Sequence, residues 1–291
     1  MRFRINYRII LGSLAVITVV VFITIYSLMR TNVYSEPYSP IEDYDRATNI
    51  LWTLTVSIDR KTEIKPTIIY ELNIVSDNLS RYRSEAMYRT GLSYRDFYTI
   101  DTYFNITKAD KEMFIASHIL PSTWLKIVES INLLGSMDMV RALEVYREIK
   151  ANVIYVIEKL ENSLGILENT SYREYAVKEE HVVKIDEACR VVNKTISILK
   201  EYIKLMELME RTRLEIERGG NVTESILRMI EEIRREVNTS LIEEISPAIN
   251  DFISRASKNP GEVVVEKRSR EDTLTHPGVK SGGYGEEVYD D

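Results

Sequence analysis

The stretch Ser57–Ile69, "SIDRKTEIKPTII", decides the fold. Apolar and polar residues alternate before it in "LWTLTVSI", and an apolar run, "TIIYELNIV", follows Lys65-Pro66. Pro66 is therefore either the corner of a β-hairpin or a kink in one long helix. Strands would rest on the alternation of Trp52, Leu54, Val56 and Ile58, but no glycine-containing turn follows them. A helix would rest on Ala47, Leu51, Leu54 and Ile58, then on Ile68, Leu72, Val75, Leu79, Tyr82 and Ala86, all spaced by threes and fours. The same spacing passes through Lys61 and Lys65 and joins the two series. It predicts one helix from Asp43 to Thr90, bent at Pro66 and stopped by Gly91. The proline would cost ~3 kcal/mol, which packing on both sides must outweigh.

Further along, "LSYRDFYTIDTYFNIT" (Leu92–Thr107) is aromatic-rich without a clear period and is expected to be a loop or small strand-like insert. Thr107 with Asp110 resembles a helix N-cap, Pro121 should end that helix, and Ser122 should open another reaching Leu134. Gly135-Ser136 breaks the chain, and a helix from Met137 to Glu168 follows. A long helix, Tyr172 to Arg218, carries the seam Val182, Ile185, Cys189, Val192, Ile196, Leu199, Ile203 and Met206, the spacing of coiled-coil packing. "GGN" (Gly219–Asn221) is a stop. The last helix, Thr223 to Ser257, carries Ile226, Ile230, Ile233, Val237 and Leu241, with Pro247 kinking its end. From Lys258 the chain is charged, glycine-containing and aperiodic, as a disordered tail would be.

Bulk properties agree with an all-α chain. Of 291 residues, 44% are hydrophobic, and only 11 are glycine and 7 proline. The net charge of -7 offers no basic surface for nucleic acid. Cys189 is the sole cysteine, so no intramolecular disulfide can form.

Ile9–Met29 is an uncharged run between Arg8 and Arg30, long enough as a helix to span the ~30 Å hydrocarbon layer. A cleaved signal would be shorter and end at a small-x-small site, which "ITIYSLMRTNVYSEP" lacks. An uncleaved single-pass anchor is expected. Arg2, Arg4 and Arg8 precede it, whereas Arg30 is followed by Glu36, Glu42 and Asp43, which places the N-terminus in the cytoplasm and the body outside. Six N-x-[ST] sequons follow, at Asn78, Asn105, Asn169, Asn193, Asn221 and Asn238, and they suit an extracytoplasmic glycoprotein. Asn169 and Asn221 are the foremost glycan candidates because both fall at expected helix junctions. The expected organisation is a stub and anchor (1–30), a linker (31–42), an antiparallel bundle of long helices (43–257) and a tail (258–291).

Two segments carry a family resemblance. "IDRKTEIKPTII" places Arg60, Lys61, Glu63, Ile64, Pro66, Ile68 and Ile69 on the pattern L-K-R-R-x-D-L-I-P-N-L-V. "EVYREIKANVIYV" places Glu144, Tyr146, Glu148, Ile149, Lys150, Ala151, Asn152 and Tyr155 on E-x-Y-P-D-L-K-A-N-x-x-F-L. Both patterns resemble the LemA family, over about residues 43–160. The resemblance implies an N-terminal transmembrane segment, an antiparallel helical bundle, and neither a known catalytic activity nor a cofactor. Arg147 stands where the family has proline. The family's later Arg-x-x-Tyr-Asn motif has only distant counterparts in "RVVN" (Arg190–Asn193) and "RREVN" (Arg234–Asn238).

Chemistry-bearing patterns are sparse. His181 in "KEEHVV" lacks the second histidine of a zinc-binding helix and is expected at a surface or helix edge, and no Cys/His spacing suits zinc. Cys189 is expected to be inert core. Tyr94, Phe97, Tyr98, Tyr103 and Phe104 either cap the end of the bundle or form an interaction surface. "YGEEVYDD" near the C-terminus is similar in kind, a short recognition motif or a solubilising tail. Together these features imply a scaffold or protein-interaction module at the cell envelope, acting without catalysis, cofactor or metal. The alternative is an extracytoplasmic sensor or ligand-binding ectodomain working through a membrane partner. Expected partners are the bilayer and a protein, with self-association left open.

Overall fold

A computed structural model describes residues 40–88, 93–239 and 245–266. Its helices are α1 (Ile41–Arg60), α2 (Thr67–Tyr88), α3 (Tyr94–Gly135), α4 (Met139–Glu168), the single turn α5 (Tyr172–Tyr175), α6 (Glu179–Glu217), α7 (Val222–Glu236) and α8 (Ser246–Lys258). The main compact unit begins at Asp43. Among the described residues no helix is long and apolar enough to cross a membrane; the expected anchor, Ile9–Met29, lies outside them. So do most of the tail and its "YGEEVYDD" motif.

Side-chain pairs fix the helix directions. Tyr44 stacks on Tyr103 at 4.2 Å and Lys61 lies 4.6 Å over the Trp124 ring, so α1 runs parallel to α3. Arg83–Asp101 at 2.5 Å and Lys111–Ser76 at 2.9 Å set α2 antiparallel to α3. Lys126–Glu148 and Lys159–Glu112 do the same for α4 against α3, and Arg147–Glu210 with Lys200–Glu161 for α6 against α4. Arg211–Glu232 and Arg228–Glu215 fold α7 back along α6. The result is an up-down bundle with α3 inside it.

The single bent helix expected over 43–90 is two helices forming a hairpin. At its C-terminus α1 closes in a Schellman motif: Thr62 N–H donates to Ser57 O at 3.0 Å and Lys61 N–H to Ile58 O. Lys61 takes the left-handed conformation (φ 52), where glycine is usual. Pro66 directly precedes α2, and the backbone before it is non-helical, as the residue before a proline prefers. Both hairpin helices face one core, so both keep a helical period. Any separation of this length can be composed of threes and fours, so the apparent continuity through two lysines carried no information.

Leu92–Thr107 is likewise not a loop. From Tyr94 onward it forms the first turns of α3, a helix of 42 residues opened by a capping box in which Ser93 Oγ and the Asp96 carboxylate each accept the other's backbone N–H. Thr107 and Asp110 therefore lie within a helix instead of capping one. Pro121 does not end α3 but is buried inside it. Packing on several sides holds the helix together across the missing N–H.

The helix expected over 172–218 is divided. Ala176–Lys178 interrupts it, and the long part starts at Glu179. Its seam holds: Ile185, Val192, Ile196, Leu199 and Met206 are buried, and Val182, Cys189 and Ile203 pack half-buried against the core. The helix expected over 223–257 is two helices, with Pro247 in the first turn of the second. Glu201 accepts the Asn238 N–H and Lys204 donates to the Glu236 carbonyl, so side chains of α6 finish α7. Gly219 (φ 92) and the N-cap Asn221 form the expected stop. The first residues of the expected disordered tail are ordered: Val264 donates to Met137 O and accepts from Val140 N–H, and Val263 and Val265 are buried.

Two substitutions test this architecture by urea unfolding. Pro121→Ala restores a donor to an unbroken helix and should stabilise the protein by about 1–3 kcal/mol; a helix boundary at Pro121 would make the change neutral or harmful. Ile196→Asp buries an unpaired carboxylate and should destabilise by roughly 3 kcal/mol or more.

Candidate functional site

A polar chain centred on the buried Tyr103 and His181 joins α1, α3 and the start of α6. Val177 N–H donates to the Tyr103 hydroxyl at 3.0 Å, and that hydroxyl lies 2.6 Å from His181 Nδ1. His181 Nε2 lies 3.0 Å from Asp45 Oδ1, which Lys178 Nζ also contacts at 2.6 Å. Donor logic fixes the protons. Tyr103 already accepts from the backbone, so its O–H donates to Nδ1, and Nε2–H donates to Asp45. The neutral imidazole satisfies every member of this chain.

His181 is thus not the edge residue expected; it is 2% exposed. No local pattern could have revealed this, because its partners come from distant helices. Burial, which outweighs the pull of Asp45, holds its pKa below the ordinary imidazole value. Burial also pushes the Tyr103 phenol up to about 12. The Lys178 ammonium holds Asp45 below the usual carboxylate range. An Asp-His-Tyr order can relay a proton in principle, but Tyr103 is completely buried, with the Tyr44 ring stacked on it. Here the three groups clamp three helices.

A second polar group has the opposite character. Asp110 is fully buried in α3, neither carboxylate oxygen has a hydrogen-bond partner, and burial raises its pKa well above the ordinary value. Burial thus favours its neutral form over the carboxylate. Cys189 is half-buried with its thiol pushed up to about 11, so its reactive thiolate is suppressed. Among the described residues no group of three or more His, Cys, Asp and Glu is placed to hold a metal.

The five aromatics proposed as one surface are divided by the fold. Tyr103 is core, Phe97 and Phe104 pack half-buried against it, and Tyr94 and Tyr98 are exposed. Tyr98 stacks on Tyr175 of α5 at 5.2 Å. Some of the rings thus pack into the end of the bundle, and others face solvent.

The sequons occupy different settings. Asn78, Asn105 and Asn193 lie within helices, where the backbone is already committed. Asn169 caps α4, its Nδ2 donating to Gly165 O at 2.7 Å. Asn221 caps α7 through Oδ1, accepting from Glu224 N–H, which leaves its exposed Nδ2 out of the cap. Asn238 is exposed beyond α7. Asn105 and Asn169 border an open groove of about 630 Å³ between α3 and α4, with Lys108, Glu112 and Glu161.

The two segments that resemble LemA flank one level of α3. Lys61 covers the Trp124 ring from the α1–α2 corner, and Glu148 of α4 lies 3.9 Å from Lys126. In the corner Ile64 is buried, Ile68 and Ile69 are half-buried, and Arg60, Glu63 and Pro66 are exposed. On α4, Tyr146 packs edge-on against Tyr202, whose hydroxyl meets Ser130 at 2.8 Å, and Ile149 is core. Lys150 pairs with Glu207. Ala151, Asn152 and Tyr155 are exposed. The helix runs unbroken through Arg147, the position of the family's proline. No family model, curated protein or solved structure matches the chain.

The two buried ionisable groups give opposite pH signatures. For His181 the folded pKa is lowered, so its contribution is complete above the unfolded value, ~6.5, and is lost as pH falls through it toward the folded one. Between about pH 7.5 and 5 the parent protein should lose more stability than His181→Gln; parallel urea midpoints would show that the clamp does not titrate. For Asp110 the folded pKa is raised, so stability declines as pH rises above ~4. Asp110→Asn should gain stability over the parent across that range.

Proposed function

We propose that the protein is a membrane-anchored, LemA-like helical bundle that works by contact, as a scaffold or protein-interaction module at the cell envelope. Its N-terminus is cytoplasmic, its body extracytoplasmic, and it performs no catalytic step. The observation that carries this reading is the outer face of α4. Ile154 and Tyr155 are exposed there beside Asn152, within the segment that resembles the family. The same helix already has a full core face in Tyr146, Ile149, Val153 and Val156. Folding gains nothing from a second apolar face, whereas a docking partner does. The Asp45–His181–Tyr103 chain supports the reading too, since its polar groups are spent on holding helices together. The Arg2, Arg4 and Arg8 bias and the exposed Asn221 support the outside placement.

A photo-crosslinking residue in place of Tyr155, in native membranes, should give a discrete cross-linked product. The same residue in place of Val183, an exposed apolar position on α6, should not. Equal behaviour at the two positions would overturn the α4 face. Protease added to intact cells should remove the C-terminal tail, and native protein should carry a mass increment that Asn221→Gln diminishes. A tail accessible only from the cytoplasm would reverse the placement.

A further inference from the structure

One end of the bundle differs chemically from the rest. It contains the start of α1, the close of α2, the start of α3 and the connection from α5 to α6, brought together by Tyr44–Tyr103, Arg83–Asp101 and Lys178–Asp45. Tyr88 is 86% exposed and Tyr94 83% exposed, the two highest values among the large apolar and aromatic side chains described. Met87, Tyr98 and Val177 are also exposed at this end, and Tyr175 stacks on Tyr98. The buried core at this end is formed by Tyr44 and Tyr103, stacked on each other, and Tyr88 and Tyr94 lie outside it.

The chain itself indicates what covers this end. The apolar run closes at Met29, and residues 31–40 alone separate Arg30 from the first turn of α1. Ten residues reach at most about 35 Å when fully extended. The start of α1 therefore lies within about 35 Å of any membrane holding the run. The Lys61 corner is separated from that start by the whole of α1.

We propose that the end bearing Met87, Tyr88, Tyr94 and Tyr98 rests in the headgroup region of the bilayer that holds the anchor, fixing the bundle upright on the membrane. The inference rests on the reading of Ile9–Met29 as an anchor. Tyrosine suits this position because its ring is apolar and its hydroxyl stays hydrated, the pairing that enriches it at membrane interfaces. Three of the basic side chains here are matched, Arg83 with Asp101, Lys178 with Asp45 and Arg173 with Asp186. With those bases engaged the contact rests on the rings, and zwitterionic lipid suffices.

The test uses the full chain with Cys189→Ala, reconstituted in nanodiscs of zwitterionic lipid, carrying one nitroxide at Tyr94→Cys or at Leu125→Cys. Leu125 is exposed on α3 near the far end. The label at position 94 should show several-fold lower collision with a water-soluble nickel chelate, and higher collision with oxygen, than the label at 125. Equal accessibility in protein that resists carbonate extraction would overturn the inference and leave the anchor intact. Dipolar broadening at position 94 would also overturn it, since a second copy of the chain would then cover this end. Release of the full chain by carbonate would overturn the anchor and the inference together.

Discussion

Every other part of the bundle depends on α3 remaining one helix. At 42 residues it is about 60 Å long. α1 meets it at Tyr103, α2 at Asp101 and Lys111, α4 at Glu112 and Lys126, α6 at Tyr103 and Ser130, and α8 at Gly135. A helix surrounded in this way needs small and mildly polar residues as well as large apolar ones. Ala109, Ala116, Ser117 and Ser130 are buried and let neighbours approach. Thr107, Ser117 and Ser130 bond back to carbonyls of their own helix, so their hydroxyls are buried without loss.

The polar interior divides into groups that are satisfied and groups that are not, Asp110, Thr123 and Ser163 among the latter. Tyr103, His181 and Asp45 complete one another only while the imidazole is neutral. Tyr202 and Ser130 do so without any titratable condition. Asp110 has no such partner, and its burial disfavours the charged form. Removing one member of a satisfied chain strands the others, at a cost of about 1–3 kcal/mol. Replacing the unsatisfied carboxyl should cost little.

The two ends of the bundle are closed differently. The far end is closed by the Schellman turn at Lys61, by Trp124 beneath it, and by Val263–Val265 along the start of α4. The near end leaves aromatic rings in solvent next to the point where the chain arrives from its apolar N-terminal run. Between them, α4 offers Asn152, Ile154 and Tyr155 on its outer face.

What the sequence determined by itself was whatever depends on residues close together along it. The helical period, the "GGN" stop, the start of α4 and the Ile185–Met206 face are of this kind. Local spacing showed that Ile58 and Ile68 both face a core, but not that the chain reverses between them, because phase carries no direction. It misjudged α3 because a helix buried on several sides loses the one-sided apolar stripe that makes a period visible, and because a buried proline looks like a terminator. Only tertiary structure decided that Val177 leaves the helix, since its N–H is taken by Tyr103. Likewise α7 ends where Glu201 and Lys204 of another helix supply its missing partners. Of the candidate site, the exposed Tyr94 and Tyr98 were legible as aromatics on a tip. His181 was not, because burial of a polar group is settled by partners that distant segments bring to it.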